Sequence, residues 1–261
     1  MTVVGIDLGS RAVKIALFKD EKLQTKFVFD TFEFYKNYCK YSDGKICVDF
    51  GRLELDKVDC VVSTGYGRNN INIDGAEVIL ELKAHTYGVL WQTKLENFTL
   101  LDVGGQDSKV ILVQNKRISD MILNDKCAAS CGRYLENMAK VIGMSVEEIK
   151  NFSQNPLELS STCAVFAESE LIGKVSEGYT SDTLAASINY SLFRRIKPLI
   201  ERFQSEKLVV TGGVASNNGF LDFIKRETSF KEVVVPPDPQ INGAIGCCAY
   251  ALAKVNKIIM F

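Results

Sequence analysis

One device occurs twice in this chain, and a duplicated device limits the fold more than any overall property does. Residues 3–18 read VVGIDLGSRAVKIALF and residues 99–113 read TLLDVGGQDSKVILV. In both, an aliphatic run leads into Asp-x-Gly, a lysine follows seven residues after the aspartate, and a β-branched run resumes. Aligning Asp7 with Asp102 places Gly9 on Gly104, Ser10 on Gly105 and Lys14 on Lys109. Each copy predicts a β-hairpin with a glycine-containing turn.

Two further signals follow. LVVTGGVASNNGF (208–220) predicts a buried strand ending at Gly212 and Gly213 and a helix start after it. EVVVPPDPQINGAIGCCAYALAKV (232–255) predicts a strand, a Pro-rich turn and a helix whose Gly243, Ala244 and Gly246 allow close approach. Residues 131–141, 164–177 and 182–204 predict core-facing helices; in the last, Leu184, Ile188, Leu192, Phe193, Ile196 and Ile200 recur at helical spacing. Residues 20–56 are rich in aromatic residues and charge without clean periodicity, compatible with a strand and a helix around a variable turn. At 261 residues the chain has room for one or two domains. The repeat divides it into 1–98 and 99–261, an approximate boundary, with the C-terminal helix a candidate to return to the first half.

Apolar residues make up 46% and charged residues 24%, with a formal net charge of −1, which excludes a disordered chain. The even balance also removes the clustered Lys and Arg that phosphate-backbone binding needs, so no nucleic-acid partner is expected. Neither a signal peptide nor a run of about 18 apolar residues is visible, so a cytoplasmic protein without membrane contact is expected. Eight cysteines in such a chain predict thiols rather than disulfides. A single histidine, His85, and the lack of any CxxC pair argue against a zinc site or a ferredoxin-type run.

A glycine turn after a strand lets backbone N–H groups reach a phosphate, and an acidic residue at its head can hold Mg²⁺ through water. On that reading Asp7 and Asp102 orient the metal. Gly9, Ser10, Lys14 and the Gly104–Gly105 amides meet phosphates, and Gly212–Gly213 approach the nucleoside. The plainer alternative is that Asp-x-Gly marks a tight hairpin and nothing more.

These residues resemble the actin, sugar kinase and Hsp70 ATPase superfamily. That resemblance implies an α/β fold of duplicated ribonuclease-H-like (actin-like ATPase) domains with a nucleotide cleft between them. GIDLGSRAVK, STGYGRNNI, LDVGGQDSKV, NDKCAASCGRYLENMA, CAVFAESELI, VVTGGVASNNG and INGAIGCCAYA resemble, in order, the activators of 2-hydroxyacyl-CoA dehydratases and the related benzoyl-CoA reductase ATPase subunits. Only residues 20–56 carry no matching motif. The resemblance implies a homodimer that binds ATP or ADP with Mg²⁺ and holds one [4Fe–4S] cluster at its two-fold axis, ligated by Cys127 and Cys163 of each chain. It implies a larger iron–sulfur acceptor enzyme and a ferredoxin- or flavodoxin-like donor. Both cysteines precede predicted helices, whose positive ends favour an anionic cluster. It also gives Gln106 the task of orienting water at the γ-phosphate, against the reading of a solvated turn residue.

One departure is plain: the family's CAAGTGR is CAASCGR here, so Ser130 and Cys131 are unusual. Cys131, four residues after Cys127, is either a packed residue or a third thiol on the same helical face. Arg68 and Asn69 after the TGYG turn are either phosphate or partner contacts or solvated. Glu168 is a cap or a cluster neighbour, and His85 receives no role. Cys39, Cys47, Cys60, Cys247 and Cys248 read as packed thiols. The leading function is an ATP-driven one-electron donor to a dehydratase. The alternatives are a reductase of another low-potential partner such as a double-cubane protein, a metabolite kinase that would use Asp107, and an assembly ATPase without a cluster.

Overall fold

The computed structural model describes residues 1–42, 45–55, 57–65, 75–124, 128–159, 163–203 and 205–256. The chain forms two compact units, Met1–Glu96 with Asn115–Arg117 and Pro236–Phe261, and Asn97–Gln114 with Ile118–Val235.

In the first unit β1 (Thr2–Leu8), β2 (Ala12–Lys19) and β3 (Lys22–Asp30) form an antiparallel meander, followed by α1 (Thr31–Tyr38). The Asp30 carboxylate accepts from the amides of Phe32 and Glu33, which sets where α1 begins. A small hairpin of β4 (Cys39–Ser42) and β5 (Lys45–Val48) follows, then β6 (Cys60–Gly65), β7 (Glu77–Val78) and α2 (Glu81–Thr93). The sheet order is β3-β2-β1-β6-β7, with β6 parallel to β1. Residues 20–56 thus contain the strand and helix left open by the sequence, plus a hairpin whose short pieces have no readable period.

The second unit repeats the order. β8 (Phe98–Val103), β9 (Ser108–Gln114) and β10 (Arg117–Asn124) lead to α3 (Gly132–Val141), α4 (Val146–Ile149), α5 (Ala164–Ser176) and α6 (Ser181–Ile200). Then come β11 (Lys207–Thr211), α7 (Asn218–Glu227) and β12 (Glu232–Val234), in the sheet order β10-β9-β8-β11-β12. The same order in both sheets, with β6 parallel to β1 and β11 parallel to β8, is the duplicated ribonuclease-H-like arrangement that the superfamily resemblance implies. Pro198 near the end of α6 removes one backbone donor, and the helix stops two residues later.

The last helix, α8 (Asn242–Val255), belongs to the first unit and packs on β1 and α2. Its small residues are spatially required. A Cβ on Gly246 would collide with the carbonyl of Ala84 in α2, and one on Gly5 of β1 would collide with that of Ala244. One face of the first sheet (Val3, Ala16, Phe18, Val62) is buried under α2 and α8. The other face (Val4, Ile6, Leu8, Val13, Ile15) packs on Phe34 of α1 and on Leu53 and Leu55. Alternate residues of β1 therefore serve two cores, which is why the strand reads as a continuous apolar run. In the second unit Leu101, Val103 and Val110 pack with Leu135, Ile188, Leu192 and Phe193.

Candidate functional site

The seven-residue spacing between aspartate and lysine becomes a cross-strand register. Antiparallel pairing of β1 and β2 sets Asp7 opposite Lys14, and that of β8 and β9 sets Asp102 opposite Lys109. In the first hairpin Lys14 Nζ lies 3.2 Å from Asp7 Oδ2, with both side chains largely buried. The same ammonium lies over the turn, 2.8 Å from where a Cβ on Gly9 would sit, so any side chain at Gly9 would displace it. The Gly9 carbonyl accepts from Thr31 Oγ1 at 2.8 Å, tying the turn to the start of α1. Ser10 is half-buried beside it. At the other end of the turn the Arg11 guanidinium pairs with Asp30 at 2.6 Å.

The N-terminus of α8 approaches Asp7: a Cβ on Gly243 would stand 3.0 Å from Asp7 Oδ2 and 3.3 Å from His85 Nε2. Backbone amides at a helix N-terminus favour a carboxylate. His85, which the sequence left without a role, is buried in α2 beside this carboxylate. Asn242 donates from Nδ2 to the His85 carbonyl at 2.9 Å and accepts on Oδ1 from Gln92 at 2.9 Å. These three residues hold the start of α8 against α2.

The second hairpin differs in detail. Lys109 Nζ is 3.9 Å from Asp102 Oδ2 but 2.6 Å from Asp107 Oδ2. Asp102, 3% exposed, accepts on Oδ1 from Thr211 Oγ1 at 2.8 Å. The Gly104 amide closes the turn onto the Asp107 carbonyl at 3.0 Å, so it is occupied within the protein, and the amide beside it belongs to Gly105. The carbonyls of Gly104 and Gly105 accept from the Gly132 and Arg133 amides, each at 2.9 Å, fastening α3 to the turn. Gln106 is exposed at the tip.

A second duplication is missed in the sequence reading. In register with Asp7 on β6 stands Thr64, followed by Gly65; in register with Asp102 on β11 stands Thr211, followed by Gly212. Gly65 and Gly212 both have left-handed φ values, +100° and +86°, and a Cβ on either would strike the backbone just after the aspartate, at Leu8 and at Val103. The signal that would have found the pair is VVSTG (61–65) against LVVTG (208–212). Gly213, by contrast, would meet nothing within 4 Å if it carried a Cβ, and it opens a 3-10 turn, Gly213–Ser216.

The cysteines separate by environment. Burial pushes the thiols of Cys60, Cys247 and Cys248 up, and that of Cys39 up to about 11, which keeps them protonated. Cys163 is exposed and is the N-cap of α5, so it sits directly on the helix terminus. Beyond it, α5 exposes Val165 and Phe166, both 70% exposed, and Ile172 and Val175. Glu168 lies on the same helix. Cys127, Arg68 and Asn69 lie outside the described residues. Cys131 is fully buried as the N-cap of α3. That is the packed reading of Cys131; α3 begins only at Gly132, after a 3-10 turn at Ala128–Ser130, so the alternative of a shared helical face does not apply to it. Among the described residues no group of three or more His, Cys, Asp or Glu could hold a metal ion, and no helix is long and apolar enough to cross a membrane.

Comparison with known proteins identifies the family and the fold. Residues 4–251 match the BadF/BadG/BcrA/BcrD ATPase family. The chain is 41% identical over 215 residues, 80% of each chain, to a 2-hydroxyisocaproyl-CoA dehydratase activator of Clostridioides difficile. It is 34% identical to the (R)-2-hydroxyglutaryl-CoA dehydratase activating ATPase of Acidaminococcus fermentans, over 97% of this chain and 98% of that one. Among solved structures, the 2-hydroxyisocaproyl-CoA dehydratase activator from Clostridium difficile with bound ADPNP superposes with a TM-score of 0.84 at 35% identity, over 99% of this chain and 97% of that one. A putative N-acetylmannosamine kinase from Listeria monocytogenes, at 11% identity and a TM-score of 0.55 over 98% of this chain and 100% of that one, shares the fold alone.

Proposed function

The chain belongs to the BadF/BadG/BcrA/BcrD ATPase family, and we propose that it is an ATP-dependent one-electron activator of an iron–sulfur acceptor enzyme such as a 2-hydroxyacyl-CoA dehydratase. The observation that carries the nucleotide half is the pair of hairpins in which an aspartate and a lysine stand opposite each other in the same cross-strand register. Lys14 over the Gly9 turn and the Gly105 amide supply positive groups for a polyphosphate, and Gly212–Gly213 face the nucleoside. Gln106, exposed at its turn, orients the attacking water, so that ATP and water yield ADP and phosphate.

The donor set suits the implied groups. Asp7 and Asp102 present only oxygen, the chemistry a hard cation takes, and when bound Mg²⁺ would neutralise phosphate charge. Cys163 offers an exposed thiol at a helix N-terminus, which suits an anionic iron–sulfur cluster. When bound, a [4Fe–4S] cluster stores and passes one electron. Two thiols per chain, Cys127 and Cys163, complete four only in a homodimer, and the exposed apolar residues beside Cys163 are suited to protein contact. A ferredoxin- or flavodoxin-like protein of the cytoplasm restores the electron lost to the acceptor, and nucleotide state gates its passage.

Anaerobic purification tests this reading. A brown protein with about four iron atoms per dimer, as one cubane requires, and Mg²⁺-dependent ATP hydrolysis are expected. Colourless protein lacking iron after anaerobic isolation overturns the electron-transfer half, and a failure to bind ADPNP overturns the nucleotide half.

A further inference from the structure

The two hairpins are copies, yet they carry opposite charge. Between its aspartate and its lysine the first, DLGSRAVK, holds two cations and one anion, and the second, DVGGQDSK, holds two anions and one cation. The alignment sets Asp107 where the first copy has Ala12. What lies over the turn glycine changes accordingly. Beside the Cβ position of Gly9 stands the Lys14 ammonium, at 2.8 Å, whereas beside that of Gly104 stands Asp107 Oδ1, at 3.0 Å. Asp107 takes the lysine of its hairpin to 2.6 Å and leaves it 3.9 Å from Asp102, whereas Lys14, with no such competitor in its turn, closes to 3.2 Å on Asp7.

We propose that Asp107 is a positioning residue of the second hairpin: by holding Lys109 at 2.6 Å it leaves that ammonium in a looser, 3.9 Å ion pair with Asp102 and out of hydrogen-bond contact with it. Asp102 is then less closely held by its lysine than Asp7 is, and the more open of the two acids to a hydrated cation. The inference rests on the nucleotide reading above. An ammonium in hydrogen-bond contact with Asp102 would occupy a carboxylate oxygen and repel more strongly a divalent cation approaching it. Asp107 is the more solvent-open of the two acids, its side chain 32% exposed against 4% for Asp102. It can therefore hold the lysine at the rim while Thr211 fixes Asp102 from inside the sheet.

The test is calorimetric titration of ADPNP into the anaerobically purified protein over a series of Mg²⁺ concentrations. In Asp107→Asn, Lys109 loses the anionic partner at 2.6 Å and closes on Asp102. The Mg²⁺ concentration that gives half of the full tightening should rise about fivefold, equivalent to about 1 kcal/mol, while ADPNP affinity without Mg²⁺ is not weakened. Asp107→Ser should do the same, and serves should the Asn variant fold poorly. In a Lys109→Met background, adding Asp107→Asn should give no further shift, because the residue acts through the lysine. An unchanged Mg²⁺ requirement in both Asp107 variants, or an equal shift in both backgrounds, overturns the proposal. A wild-type protein that binds no ADPNP overturns the nucleotide reading itself, an outcome separable from the others because it precedes any variant.

Discussion

Thr211 donates its hydroxyl hydrogen to Asp102 Oδ1 at 2.8 Å, a buried bond between residues 109 positions apart in the chain that lie in register on parallel strands. It fixes one oxygen of the acid at the head of the second hairpin. Thr211→Val keeps the shape and removes the donor, leaving a buried carboxylate oxygen without it. A loss of about 1–3 kcal/mol is expected, read by denaturant unfolding, together with a lower kcat for ATP hydrolysis. Unchanged stability and kcat would show that the bond matters to neither.

The two head-of-hairpin acids are expected to act on nucleotide and not on iron. Asp7→Ala and Asp102→Ala should each abolish Mg²⁺-dependent ATP hydrolysis while iron content stays at the wild-type value. Hydrolysis at the wild-type rate in both would remove the metal-orienting role.

Adjacent glycines should respond differently. Gly212→Ala forces a side chain into a left-handed conformation and against the Val103 carbonyl, and should destabilise the protein by at least about 1–3 kcal/mol. Gly213→Ala meets open space, and should stay within about 0.5 kcal/mol of wild type. Thermal unfolding of the two variants side by side decides it; equal losses would refute the backbone argument.

Cys163→Ser and Cys127→Ser should each lose the iron that anaerobic protein holds. Cys131→Ser should keep it, because that thiol is buried at the N-cap of α3. Iron retained in both of the first two variants would sink the shared-cluster reading.

A pH effect follows from the last helix. The hydrogen bond to Glu77, with burial, holds the Tyr250 hydroxyl pushed up to about 12. A folded value above the unfolded one means the protonated hydroxyl stabilises the fold. That contribution is complete below the ordinary tyrosine value of 10.0 and fades as pH rises from there through about 12. Wild-type protein should therefore lose more melting temperature between pH 9 and pH 11 than Tyr250→Phe does, and equal losses would contradict the linkage.

What was legible in the sequence is what short chain separations control. Six residues with a glycine turn separate aspartate from lysine between two β-branched runs, which reads as a hairpin, and the register then sets Asp7 opposite Lys14 and Asp102 opposite Lys109. A period of 3.6 is likewise local, and residues 182–204 read as a helix that runs Ser181–Ile200 in the structure. The small residues of α8 announced close packing, though not against which strand or helix.

Only the tertiary structure decided the rest, because the partners are distant in the chain. Thr64 and Thr211 gain meaning when parallel pairing sets them beside the acids, 57 and 109 residues away. His85 came to lie beside Asp7 because α8, more than 150 residues further on, docks its glycines on α2 and β1. Even within one turn, which of two acids holds Lys109 depends on ångström distances that spacing does not specify. Residues 20–56 were opaque because their strand, helix and hairpin bury few residues in any regular pattern, so packing rather than period shapes them. The repeat determined which residues face each other across a turn, a matter of local chain geometry, and the folded sheets and the docking of α8 decided which groups hold those residues in place.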